Sequence, residues 1–223
     1  MVVGRALWFG NLVVGVSDLD AAAEQFRSVG LDVLDGGRHV QFGTANRVIP
    51  FGRSYLELLA VVDRAVAETT WFGRSLLAHL ARREGLVRWS LRSHRLDAVA
   101  ASLGLAIERR SRTTPGGRLL QWRAAGLELS LEHAWLPFFV EWPDGDFPGG
   151  QPATHEVAVG DIAWMALTPG DGDRLARWLC GAVVPLRHVP GEPGLTACGI
   201  GLDGGRELVV SSGPDHRLAV EVR

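Results

Sequence analysis

The feature that most limits how this chain can fold is an internal repeat. Residues 7–16 are apolar and rich in β-branched side chains, the composition of a buried strand. Ser17 or Asp18 then offers a helix cap, and Asp20 stands in the first turn. Leu19, Ala22, Ala23 and Phe26 recur at helical spacing before Gly30, which marks a helix end. Three strand-like pieces follow, LDVLDGGRH, ANRVIPFG and SYLELLAVV, divided by glycine-containing turns. After Gly85 the same order starts again. LVRWSLRS reads as a strand and RLDAVAASLGL as a helix; AIERRSRT, RLLQWRAAG and LELSLEH read as strands, with FFVEW as a further one. Two copies of one β-α-β-β-β unit predict an α+β fold, with paired βαβββ modules forming a cupped mixed sheet.

Two anchors set the register between the copies. SDLDAAAEQF aligns with HRLDAVAASL through Leu-Asp-Ala, and SYLELL aligns with FFVEWP through its glutamate. This places Asn11 opposite Arg88 on the first strands and Glu57 opposite Glu141 on the last. Residues 65–85 read as a connecting helix with Trp71, Leu76, Leu77 and Leu80 on one side. Residues 143–154 are a Pro/Gly-rich link. Beyond it, DIAWMAL reads as a strand, TPGDGDRLARWLCG as a helix capped by Thr168 with Pro169 at its first position, and LTACGIGL, RELVVSS and RLAVEVR as strands. The expected division is therefore a first module at 1–64, the helix at 65–85, a second module at 86–142, the link, and a third, degenerate β-α-β-rich unit at 155–223.

Composition removes several classes of function. With 223 residues and 47% apolar content the chain can bury a substantial core. A net charge of −2 argues against nucleic acid and anionic membrane as partners. All 23 basic residues are arginine, so Schiff-base lysine chemistry is excluded. Cys180 and Cys198 lack metal-finger or redox spacing and suit a reducing compartment. The N-terminal stretch is too short and mixed for a signal peptide, and no apolar run approaches the ~18 residues of a bilayer span, so the expected location is cytoplasmic. The glycine-rich stretches lack a phosphate-binding pattern, no motif supports Ser-His-Asp or Cys-His catalysis, and His133, His155 and His188 share no metal-site spacing.

NLVVGVSDLDAAAEQF followed by GGRHVQFGTANRVIPFGRSYLELLAV, with LPFFVEW before a Pro/Gly-rich turn, resembles the glyoxalase-like branch of the vicinal oxygen chelate superfamily. The resemblance covers roughly residues 7–150. It implies paired modules around a cup that in many members holds a divalent metal chelated by two substrate oxygens. Members include isomerases, dioxygenases, epimerases, thiol transferases and metal-free drug-sequestering proteins, so the resemblance implies a cup and not a reaction. The metal-ligand positions of the superfamily fall on Asn11 and Glu57 in the first module and on Arg88 and Glu141 in the second. Most members have histidine where Asn11 stands, and arginine is no ligand. That set is poor for zinc, iron or nickel, and the Arg88 cation opposes any metal. No cofactor is expected; the alternative is one divalent metal through Glu57 and Glu141.

Glu57 lies on an otherwise apolar strand and needs a partner if buried. It reads as a base, a ligand contact or half of a structural ion pair. His39, after Gly36-Gly37-Arg38, reads as an acid/base or as structural. Arg88, Ser90 and Arg92 share one strand face and could form a donor row for a carboxylate or phosphate, although Arg88 could instead neutralise Glu57 or Glu141. Asn46 reads as a ligand contact or a turn tie. Trp89 and Trp122, with Trp135 and Trp142, read as aromatic lining or as core. The expectation is a protein that binds a small, oxygen-rich or aromatic, anionic metabolite as a metal-independent lyase or isomerase, with Glu57 and His39 catalytic. Two alternatives stay open, a non-catalytic sequestering protein and a metal-dependent lyase or dioxygenase. A homodimer is also open.

Overall fold

The computed structural model describes residues 7–223; the first six residues, which open the expected 1–64 module, lie outside the described residues. The first module runs β1 (Leu7–Gly15), α1 (Leu19–Arg27), β2 (Leu34–His39), β3 (Thr44–Pro50) and β4 (Tyr55–Val61). The second runs β5 (Gly85–Ser93), α4 (Leu96–Leu103), β6 (Ile107–Thr113), β7 (Leu119–Ala125), α5 (Leu127–Glu132) and β8 (Phe138–Glu141). In each, the first strand crosses by a helix to the far edge and a meander returns to pair parallel with it, β4 beside β1 and β8 beside β5. Joined, the modules form a closed ring in the order β1-β4-β3-β2-β6-β7-β8-β5. The two seams between modules differ sharply. β1 and β5 pair antiparallel along nearly their whole length, from Leu7↔Ser93 to Gly15↔Gly85, whereas β2 and β6 meet at Arg38↔Thr113 alone.

Local chemistry explains the elements. Asp18 caps α1, its carboxylate accepting from the N–H groups of Asp20 (2.8 Å) and Ala21 (3.0 Å), and Ala22, Ala23 and Phe26 turn inward. Between the modules, the single helix expected over 65–85 is broken. Thr70 is extended and caps a new turn through Gly73 N–H (3.0 Å), giving α2 (Arg64–Thr69) and α3 (Trp71–Leu80). LELSLEH, expected as a strand, is the helix α5. Its Leu-Glu alternation fits period two, but Gly126 enters at φ +75°, Leu127 and Ser130 are buried at helical spacing, and β7 already pairs directly with β8, leaving no edge for another strand.

The C-terminal unit is a five-stranded sheet, β10-β9-β11-β12-β13, made of β9 (Val159–Thr168), β10 (Leu186–His188), β11 (Gly194–Leu202), β12 (Glu207–Ser212) and β13 (Leu218–Val222). Its helix, α6 (Gly172–Trp178), starts later than expected. Asp171 is the cap, accepting from Arg174 N–H at 2.9 Å, while Thr168 still ends β9 and donates to Val189 O at 2.7 Å. Met165, Cys198, Ile200 and Val210 of this sheet share one core with Leu12, Trp89 and Leu91 on the outer face of β1 and β5, and with Phe26 and Val99 of the helices. The third unit therefore covers the outside of the long seam. Glu84, just before β5, ties it down by accepting from Ser17 N–H (2.8 Å) and Leu218 N–H (3.0 Å). No helix among the described residues is long and apolar enough to cross a membrane.

Candidate functional site

Alternation along the strands decides which side chains enter the ring. Asn11 on β1, Asn46 on β3, Tyr55 and Glu57 on β4, Arg88 and Ser90 on β5, Arg110 and Arg112 on β6, Trp122 on β7 and Phe138 on β8 all point inward. With Trp71 and Phe72 of α3 and Trp142, most of them line an internal cavity. The cavity is small, about 50 Å³ for the centre of a water-sized molecule, which sets the scale of what fits without rearrangement.

Glu57 lines it, 8% exposed, and each of its oxygens is held by an amide. Asn46 Nδ2 donates to Oε1 at 2.8 Å and Asn11 Nδ2 to Oε2 at 3.1 Å. Both amides are themselves fixed. Arg112 Nη1 donates to Asn46 Oδ1 at 2.9 Å, Ser90 Oγ donates to Asn11 Oδ1, and Asn11 N–H donates back to Ser90 Oγ at 3.1 Å. The carboxylate is thus the acceptor at the meeting point of two polar chains, each starting in the second module and passing through an amide of the first. Gly36 makes room for one of them. A Cβ there would lie 2.6 Å from Arg112 Nη1 and closer still to Asn46 Oδ1.

Arg88 is the most unusual group. It is 6% exposed, yet none of its nitrogens bonds a described residue, and Nε and Nη1 are fully enclosed without a partner. Its guanidinium lies between the rings of Phe72 (4.6 Å) and Phe138 (4.7 Å), which hold the faces and leave the in-plane N–H donors free. Burial lowers its pKa to about 10, opposed by the nearby negative charge of Glu57. No ion pair forms between Arg88 and Glu57, so the expected alternative in which one neutralises the other does not describe this site. Arg112, 3% exposed, is likewise shifted down by burial. Arg110 is paired with Glu108 and lies over Phe42 (5.1 Å) and Trp71 (5.7 Å). Three guanidinium groups face two carboxylates, so the cavity carries an uncompensated positive charge.

His39 lines the cavity, with Nδ1 3.2 Å from Thr44 Oγ1 and its ring edge-on to Trp122 at 6.2 Å. Burial, then Arg112 and Arg88, push its pKa down to about 3. At neutral pH it is an uncharged hydrogen-bonding group and holds no imidazolium proton to donate, which corrects its reading as a general acid.

Several expected residues lie elsewhere. The registers β1·β4 and β5·β8, carried from the Leu-Asp-Ala anchor, put Phe138 and not Glu141 opposite Glu57. Glu141 faces an outer groove. There it accepts from Arg123 Nε at 2.7 Å and from Leu96 N–H at 3.3 Å, serving the N-terminus of α4 where the second copy has Arg95 in place of Asp18. Arg92 is outside the cavity, its guanidinium over Phe147 (4.1 Å) and Trp8 (5.9 Å), so the donor row ends at Ser90. Trp89 is fully buried on the outer face, stacked with Phe9 at 6.2 Å, and is core. Trp122 does line the cavity and stacks on Trp142 at 4.7 Å; the pair forms a wall shared with the outer groove. Tyr55, Arg110 and Arg112 were not anticipated. Only the alternation of 108, 110 and 112 in IERRSRT could have hinted at the two arginines.

A divalent metal does not fit these residues. The four inward positions offer an amide, one carboxylate with both oxygens already accepting, a guanidinium and a phenyl ring. Among the described residues, no three His, Cys, Asp or Glu side chains come together as a metal site.

A ring of two paired βαβββ units is the vicinal oxygen chelate fold. Within it, the chain belongs to the family described as the glyoxalase-like domain, whose model matches residues 12–183. A hypothetical protein from Staphylococcus aureus superposes with a TM-score of 0.60 at 15% identity, covering 93% of this chain and 87% of that one. A mutant of 4-hydroxymandelate synthase from Streptomyces coelicolor gives a TM-score of 0.51 at 10% identity over 97% of this chain and 62% of the other. Methylmalonyl-CoA epimerase from Mycobacterium tuberculosis is matched with a TM-score of 0.40 at 16% identity, over 60% and 85% of the two chains. No curated protein matches the sequence.

Proposed function

We propose that this protein takes a small anionic metabolite into the ring without a metal, its oxyanion held by Arg88, and that Glu57 exchanges a proton with it in an isomerase- or lyase-type step. The observation that carries this reading is the guanidinium of Arg88, buried between two rings with its donors unpaired. A buried charge left without hydrogen bonds destabilises the free protein, and an arriving oxyanion supplies the missing acceptors. Guanidinium suits planar oxyanions, which it binds through two parallel hydrogen bonds. In the step itself, a Glu57 oxygen would remove a proton from a carbon next to a carbonyl. The electron pair would move onto the carbonyl oxygen, and the developing charge would be offset by the nearby Arg88 cation. Return of a proton to the other face of the same carbon would complete an isomerisation; departure of a group with its bonding electron pair from the next carbon would complete an elimination.

A second reading is favoured by the two amides on Glu57. A carboxylate with both oxygens already engaged by Asn11 and Asn46 is held in place by the protein itself, which suits a protein that binds and sequesters. One experiment separates the two. The protein is incubated in deuterium oxide with a panel of short carbonyl acids, binding is followed by calorimetry, and loss of carbon-bound protons is followed by NMR. Binding with exchange that disappears in Glu57→Gln supports the enzyme. Binding without exchange supports sequestration, and no binding of any anion defeats both.

A further inference from the structure

Tyr55 is the one tyrosine of the chain and is 5% exposed. It lies two residues before Glu57 on β4, so the two side chains share the inner face, and both line the cavity with Arg88. Its ring is fixed edge-on against Phe147 at 5.6 Å. Its hydroxyl, however, bonds no described residue. A buried tyrosine normally finds a hydrogen-bond partner for its O–H. Burial, and then the negative charge of Glu57, push its pKa well above the ordinary phenol range, so it keeps its proton and remains a donor. The cavity is thus lined by two donors that bond no other described residue, a cationic one on β5 and a neutral one on β4.

We propose that Tyr55 is the second hydrogen-bond donor to the ligand, and that with Arg88 it selects a short 2-oxo or 2-hydroxy acid over a plain carboxylate. This rests on the reading of Arg88 as the anion anchor. The division of labour follows from charge. A carboxylate seeks the guanidinium, whereas the space beside Tyr55 adjoins Glu57, where a second negative charge is repelled and a neutral keto or hydroxyl oxygen is not. An uncharged oxygen next to the carboxylate is what a 2-oxo or 2-hydroxy acid offers.

The test uses the intact chain with ¹³C at the tyrosine Cζ, where a single tyrosine gives a single resonance. Pyruvate, lactate and propionate, matched in carbon number, are titrated in turn. Pyruvate and lactate should move the resonance and bind about three- to tenfold more tightly than propionate, the range of one neutral hydrogen bond. Tyr55→Phe should fold normally, because its O–H bonds no other described residue, and should lose that preference. Arg88→Met should weaken all three acids. If Tyr55→Phe keeps the preference, or if pyruvate leaves the resonance unmoved, the assignment of Tyr55 is wrong while the Arg88 reading survives. If no acid binds, or if Arg88→Met binds them as well as the wild type, the anion reading falls and the Tyr55 assignment falls with it.

Discussion

Replacing Arg88 by methionine should make the free protein more stable and its ligand binding worse. The drop of the Arg88 pKa to about 10, caused chiefly by burial, corresponds to about 3 kcal/mol disfavouring the charge in place, taking 1.36 kcal/mol per pKa unit. Methionine is of similar length, fills the slot between Phe72 and Phe138, and brings no charge. Against the gain stands the loss of two ring contacts at 4.6 and 4.7 Å, each about 0.5–1 kcal/mol. The balance is a stabilisation of about 1–2 kcal/mol, or about 2–8 °C in melting temperature for a chain of this size. Affinity for a carboxylate should fall about ten- to a hundredfold, the range of a charge-assisted hydrogen bond, with little change for a neutral analogue. Scanning calorimetry of the free protein and titration calorimetry with a carboxylate give the two numbers. A melting temperature several degrees lower, with no selective loss of anion binding, would show Arg88 to be a structural cation and refute the argument.

Further outcomes follow from the same geometry. Gly36→Ala should destabilise the protein by about 1–3 kcal/mol through overpacking, because the new methyl collides with Asn46 and Arg112; an unchanged melting temperature would mean that the polar chain to Glu57 is loosely held. His39, held near pKa 3 in the fold against about 6.5 in an unfolded chain, is protonated only in the unfolded state between those values. Its contribution is therefore fully present above about pH 6.5 and is lost as the pH falls toward 3. His39→Gln should flatten the pH dependence of the melting temperature in that window, and identical profiles would contradict the burial argument. Dialysis against a chelator should leave melting temperature and anion affinity unchanged; stoichiometric zinc, iron or nickel surviving dialysis at Glu57 would overturn the metal-free proposal.

The repeat was legible because its signals are local. Alternation, the Leu-Asp-Ala helix entry and the glycine turns depend only on neighbours along the chain. The site was half legible for the same reason. Glu57 and Arg88 stood out as charges on apolar strands, and both enter the cavity. Glu141 was misplaced because YLELL and FFVEW were aligned by their glutamates, whereas strand pairing sets Ser90 against Phe138 and leaves Glu141 three residues past the inward position. Arg92 failed because β5 reaches the rim of the ring there, where Phe147 from the link covers its guanidinium; no local pattern announces that contact. The uncharged state of His39 depends first on its burial and then on Arg112 and Arg88, which lie far from it in sequence, so spacing alone could not supply it.

The uneven seams of the ring have a mechanical consequence. A bracelet fastened along one full side and by a single stud on the other bends at the long side and parts at the stud. Here the stud is Arg38↔Thr113, and next to it, one on each strand, sit His39 and Arg112. Arg112, from the second module, reaches across to Asn46 in the first, so its hydrogen bond is a second fastener over the same gap. That fastener ends on Glu57. Parting the ring to admit a molecule would pull on Asn46, one of the two amides gripping the carboxylate, and closing it would press that amide back. One amide side chain, Asn46, therefore serves both the clasp and the grip on the carboxylate.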